Sequence, residues 1–75
     1  MSQNNQTNES EDLASDLLRG APAIAAFLQT IGFPDCTDDD VYYMHRSKKL
    51  SFGKFGNELI GFKSGIIRQV RKLVA

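Results

Sequence analysis

Apolar residues recur along this chain with two different periods, and the change of period divides it into elements. Ile24, Phe27, Leu28 and Ile31 stand at i, i+3, i+4 and i+7, a spacing that puts four side chains on one helical face. Pro22 suits the first turn of that helix, because the N–H it lacks would have no intrahelical acceptor. Ala23, Ala25 and Ala26 favour the helix and allow close packing. Gly32 stands where a left-handed cap ends a helix, and Pro34 stops it from resuming. A helix is predicted over 21–31.

Residues 33–37 make a short connection. Thr37 is a good N-cap, and Asp38, Asp39 and Asp40 fill the first turn of a second helix, where carboxylates complement the backbone dipole. Val41 and Met44, with Tyr42 or His45, supply its apolar side, and it should run to about Ser47. Adjacent helical residues point about 100° apart. Tyr42 is therefore expected in the core and Tyr43 outside it.

Past Lys48 and Lys49 the period shortens. Leu50, Phe52 and Phe55 mark an extended stretch, with Gly53 as a bulge or bend. Gly56-Asn57 is a turn dipeptide, since both residues tolerate positive φ, and Glu58–Phe62 returns as a second strand. A β-hairpin is predicted over about 51–62. Ser64 then caps a last helix with an apolar stripe of Ile66, Ile67, Val70, Leu73 and Val74, and with Arg68, Arg71 and Lys72 on the opposite face. Upstream of the first helix, the stretch 12–19 reads either as one helical turn or as a strand-like arm. The spacing of Leu13, Leu17 and Leu18 leaves both open.

The predicted order is helix, turn, helix, hairpin, helix. Such a chain is mainly α with a β-hairpin, a winged helix-turn-helix near its minimum length.

Composition bounds what such a fold could do. The chain has 75 residues, enough for one small domain. Residues 2–10 hold no apolar side chain, so 1–12 are expected to be a disordered acidic and polar tail and 13–75 the folded domain. The acidic start is unlike a secretory signal or a transit peptide, and no run approaches the ~18 apolar residues of a membrane span. The single Cys36 cannot form an internal disulfide. These features point to a cytoplasmic protein without membrane contact. Cys36 and His45 do not match zinc-ligand spacings, so no metal or other cofactor is expected. One histidine cannot build a nucleophile–base–orienter set, and no Gly-rich phosphate loop is present. Enzymatic activity is not expected.

Charge adds what hydropathy does not show. The formal net charge of +0 is a sum of two opposite halves. Residues 1–44 carry eight acids against Arg19 alone, a balance of −7, and residues 45–75 carry eight bases against Glu58 alone, a balance of +7. A polyanion would meet the basic half as a strongly positive surface. The plainer alternative is that the halves neutralise each other on folding.

Several segments also carry a resemblance. Residues 18–28, Leu-Arg-Gly-Ala-Pro-Ala-Ile-Ala-Ala-Phe-Leu, are similar to the opening helix of small winged helix-turn-helix DNA-binding proteins of the excisionase and MerR-like group. Val-Tyr-Tyr-Met at 41–44 resembles the second helix of that group, and Lys49-Leu50 with Lys54-Phe55-Gly56 resembles the strand leading to the wing tip. Ser64 matches the serine that caps the closing helix. The likeness covers about residues 18–74. Four features depart from it: a longer turn between the helices, Asp38–Asp40 where relatives often carry Arg or Gln, Ser51 in place of a proline, and Glu58 and Phe62 at wing positions that are often basic.

The resemblance implies binding of double-stranded DNA. The first expectation is an excisionase-like recombination directionality factor, which binds and bends attachment-site DNA of a mobile element. The alternative of the same fold is a small transcriptional regulator. Partners would include neighbouring protomers on DNA and an integrase. The candidate contacts are Tyr43, His45 and Arg46 on the exposed part of the second helix, Lys48 and Lys49 at its end, Lys54 and Asn57 on the wing, and Lys63 at the wing base. A reading of another class is a protein-interaction adaptor that uses the acidic face Asp35–Asp40 or the tail.

Overall fold

The computed structural model describes residues 13–74. The expected tail, residues 1–12, lies outside the described residues, as does Ala75. A single helical turn, α1 (residues 13–16), leads into strand β1 (Leu17–Arg19). Both alternatives for this stretch therefore form, one after the other. Helices α2 (Ala21–Thr30) and α3 (Asp38–Arg46) follow, then β2 (Gly53–Phe55), β3 (Glu58–Phe62) and α4 (Lys63–Val74). The strands form one antiparallel sheet in the order β1-β3-β2.

The periodic stripes become the core. Ile24 and Leu28 of α2 are fully buried, and they meet Val41 of α3, Leu50, Leu59 of β3 and Ile66 of α4. Ala21 and Ala25 let α2 lie close to the sheet, while Phe27 and Ile31 are half-buried at the margin. Leu18 of β1 and Leu59 of β3 make the inner face of the sheet, as the period of two requires.

Two local devices set the helix boundaries as the sequence predicts. Gly32, at φ 127°, follows α2, and the Phe33 N–H donates to the Leu28 carbonyl at 3.0 Å. Thr37 caps α3. Its Oγ1 accepts from the Asp40 N–H at 3.3 Å, and its own N–H donates to Asp40 Oδ2 at 3.0 Å, a reciprocal capping box.

Elsewhere the structure corrects the sequence expectations. Ser64 is not the cap of α4, which begins at Lys63. Instead the Asp16 carboxylate accepts from the Ser64 N–H at 3.0 Å and from the Ser64 hydroxyl at 2.7 Å, so α1 caps α4 across the fold. The helix leaves N–H groups without intrahelical acceptors there, and a carboxylate meets both that need and the positive dipole end. The α4 stripe also outruns the core. Ile66 is buried and Val70 half-buried, but Leu73 and Val74 are 58% and 80% exposed. Tyr42 is not a core residue; it is exposed like Tyr43, because Val41 alone fills the buried face of α3.

The hairpin turns at Gly56-Asn57, but only Gly56 has positive φ, at 65°. A positive angle at the first central residue alone is the type II′ pattern, which matches the twist of the flanking strands. Gly53 makes no bulge; it lies in the ladder opposite Ile60. The predicted strand from residue 51 starts only at Gly53, since Ser51 pairs with a side chain. Gln69 of α4 donates from Nε2 to the Ser51 carbonyl at 3.0 Å and accepts the Ser51 N–H at 2.6 Å.

Candidate nucleic-acid interface

The outer surface of α3 and the turn that leaves it gather most of the predicted contact residues. Tyr43 and Arg46 project outward from the last two turns of α3 and are exposed. The chain then reverses at Ser47, where the Lys48 N–H donates to the His45 carbonyl at 3.2 Å and the Lys49 N–H to the Met44 carbonyl at 3.0 Å. This is the same cap that ends α2, yet its left-handed residue is Lys48, at φ 61°. Lys48 is the one non-glycine residue with positive φ among the described residues. Lys49 turns back, and its Nζ lies 5.7 Å from the centre of the Tyr43 ring. Arg46, Lys48 and Lys49 thus crowd the negative end of the helix dipole, where cations are favoured.

His45 departs from the expected set. Its ring is half-buried and stacks on Phe52, with centroids 6.0 Å apart, so it faces the interior and not the outer surface. Its Nδ1 is buried and finds no hydrogen-bond partner among the described residues. Lys54 and Asn57 lie exposed at the tip of the hairpin, and Lys63 is half-buried in the first turn of α4. No hydrogen bond, ion pair or ring contact among the described residues joins these three to the α3 cluster.

Few of the described charges are paired after folding. The described residues form one ion pair, in which Arg19 Nη2 lies 3.1 Å from Glu58 Oε1 and Arg19 Nε donates to the same oxygen at 3.1 Å. These two residues are the lone base of the acidic half and the lone acid of the basic half. Their pairing removes the exception from each side. Asp35, Asp38 and Asp39 form no ion pair with any of the described bases, and Asp40 is engaged by the α3 cap. Among the described residues, ion pairing between the two halves is limited to this one contact.

A groove of about 490 Å³ opens between the 32–36 connection and α3, lined by Phe33, Cys36, Asp40, Tyr43, Met44 and Lys49 among others. Burial pushes the Cys36 thiol up from its ordinary range, and the nearby Asp40 and Asp38 carboxylates add to the rise. A thiol held protonated is a poor nucleophile and a poor metal ligand. Gln29 Nε2 donates to the Cys36 carbonyl at 2.8 Å and fixes this wall to α2.

Four residues make long-range contacts that the sequence does not disclose as pairs. Arg19 and Glu58 were each visible as the odd charge of their half, and that oddity was the available signal. Asp16 and Gln69 act on backbone groups far along the chain and left no local trace. Among the described residues, no helix is long and apolar enough to cross a membrane. Comparison with protein-family models, with curated proteins and with solved structures finds no match.

Proposed function

We propose that this chain is a non-enzymatic, cytoplasmic DNA-binding module of the winged helix-turn-helix type. In this reading α3 and its exit meet the major groove, and the β2–β3 hairpin meets the flanking backbone. The observation that carries it is the unpaired state of the cations around the exit of α3, since one ion pair forms among the described residues. Among the described residues that pair consumes Arg19 and Glu58, so Arg46 remains available to a base edge and Lys48, Lys49 and Lys54 to phosphate. Each such contact releases condensed counterions and adds affinity that falls with salt.

The same charges orient α3. Asp38 and Asp39 at its start would repel phosphate, and Asp40 is engaged in the cap. The helix therefore approaches DNA by its C-terminal half, through Tyr43, Arg46, Lys48 and Lys49. This differs from the usual arrangement, in which the first residues of the reading helix touch the bases. His45 drops out of the contact set because its ring packs on Phe52.

Excisionase-like architecture on attachment-site DNA is the preferred role, with neighbouring protomers and an integrase as partners. A small transcriptional regulator is the alternative of the same fold. Footprinting of the DNA that flanks the coding region separates them. Arrays of direct repeats beside an integrase gene favour excision, and one operator at a promoter favours regulation.

Binding itself is tested by titrating duplex DNA across a range of salt. Three phosphate contacts, by Lys48, Lys49 and Lys54, give a slope of about −2 to −3 in log K against log salt. Arg46→Ala should weaken specific binding by about 1–3 kcal/mol and relax preference at one position, because a guanidinium can pair bidentately with a guanine edge. Lys54→Ala should weaken specific and non-specific duplexes alike and lower the slope by about one unit. If both variants bind as the parent does, the basic half is only a solvated surface and the reading is lost.

A further inference from the structure

The ladder register divides the sheet into two faces. Leu18 and Leu59 point into the core, while Leu17, Arg19, Glu58, Ile60, Phe62, Gly53 and Phe55 belong to the outer face. An outer face in water is normally polar. This one carries Phe62 near the start of α4 and, at its far end, the more exposed Phe55. Phe55 is 70% exposed, the most open aromatic ring among the described residues.

Packing does not account for that ring. Phe55 is the last residue of the edge strand β2 and immediately precedes the Gly56-Asn57 turn. The hairpin is anchored by Leu59, which is buried, so a polar residue at the tip would hold the turn equally well and avoid wet apolar area. The surroundings of the ring suit one kind of ligand. Lys54 precedes it and Asn57 follows within the turn, both exposed. Its cross-strand neighbour is Glu58, the one acid near the tip, and Arg19 holds that carboxylate at 3.1 Å. The hairpin thus offers a protruding ring, a cation, an amide and a neutralised acid.

We infer that Phe55 is a wedge that enters the minor groove, inserts between adjacent base pairs and bends the duplex. Lys54 neutralises the flanking phosphate and Asn57 meets the floor of the groove. Apolar side chains act this way in minor-groove binders, where unstacking a base step is offset by the extra protein surface that the bent duplex covers. The preferred ligand is duplex DNA with a pyrimidine–purine step, because such steps unstack most easily. This inference rests on the DNA-binding reading and adds to it a bending device and a sequence preference outside the reach of α3.

The test uses the full chain and a duplex enriched by it from a randomised pool. The adenine of each pyrimidine–purine step is replaced in turn by 2-aminopurine, and the two ends carry a fluorescence-transfer pair. The parent should raise 2-aminopurine emission at one step and shorten the end-to-end distance. Phe55→Ala should lose both signals and bind the enriched duplex about tenfold more weakly, the size expected for losing one aromatic–base contact. It should keep its salt slope, and its melting temperature should be unchanged because the ring is exposed. Phe55→Leu, still apolar, should retain most of the bend. If the parent binds with a steep salt slope but unstacks no step, or if Phe55→Ala bends DNA as the parent does, the wedge is overturned and the DNA reading stands. If no duplex is bound in a salt-dependent way, both fall. If Phe55→Ala leaves DNA binding intact and only lowers self-association in sedimentation, the ring is a protein contact and the wedge is overturned.

Discussion

Helices α2 and α3 leave by the same turn and fill it with different residues. After α2, the Phe33 N–H reaches back to the Leu28 carbonyl at 3.0 Å across Gly32; after α3, the Lys49 N–H reaches back to the Met44 carbonyl at 3.0 Å across Lys48. Both intervening residues have positive φ, 127° for Gly32 and 61° for Lys48. Glycine adopts such angles freely, whereas an L side chain is strained there by roughly 1–2 kcal/mol. The helices differ in the same sense along their length. Four residues of α2 are buried, but only Val41 of α3 is. The first helix is built for the core and its exit is built for stability. The second exposes most of its surface, and its exit carries a cation at a cost.

The strongest way to break this comparison is to shorten the side chain of the residue whose carbonyl accepts the turn in each helix. Leu28 is fully buried, so Leu28→Ala should destabilise the fold by about 2–5 kcal/mol, a large share of what a domain this small possesses. Met44 occupies the equivalent position in α3 but is only half-buried. Met44→Ala should cost about 1–2 kcal/mol, since less apolar area returns to water. Chemical denaturation of the two variants checks the ratio. Equal losses would show that α3 contributes to the core as much as α2 does.

A smaller perturbation addresses the turns themselves. Gly32→Ala should destabilise by about 1 kcal/mol or somewhat more, because φ near 127° lies beyond the left-handed basin that other residues can reach. Space is not the issue: a methyl group at Gly32 would meet nothing within 4 Å. A melting temperature equal to the parent's would mean that the turn relaxes and that positive φ is not required there.

These two turns also mark what the sequence could disclose. Gly32 followed by Pro34 is a local signature, and so is Thr37 three residues before Asp40; both were legible because the chemistry sits within one turn. The α2 stripe with Ile24 and Leu28 and the α4 stripe with Ile66 were each legible from their period. Lys48 gave no sign, because a lysine after a helix reads as ordinary charge. Asp16 and Gln69 were hidden for a different reason: each satisfies backbone groups brought near only by folding, at Ser64 and Ser51. Periodicity also says which face of α4 is apolar but not where the core stops, and so the stripe includes Leu73 and Val74, which lie beyond it. At the candidate interface, the charge halves and the residues Tyr43, Arg46, Lys48 and Lys49 could be read in advance. The inward turn of His45 onto Phe52 could not, since it depends on a partner beyond the helix.

The smallest effect is the most diagnostic. Lys48→Gly should stabilise the fold, because it relieves a strain of about 1–2 kcal/mol at φ 61° and gives back about 0.5–1 kcal/mol through the greater freedom of glycine when unfolded. The net gain is about 0.5–1 kcal/mol. If Lys48 is retained for its charge, the same variant should bind duplex DNA more weakly and lose about one unit of salt slope. Strained residues concentrate where function over-determines them, and this substitution tests that relation at one atom group. Lys48→Asn makes the comparison sharper, since Asn tolerates the left-handed region but carries no cation. It should recover part of the stability gain and show the full loss of slope. A variant that gains stability with unchanged DNA binding would separate the strain at Lys48 from any role of its charge, and the α3 exit would then be a turn like that of α2 with a poorer residue in it.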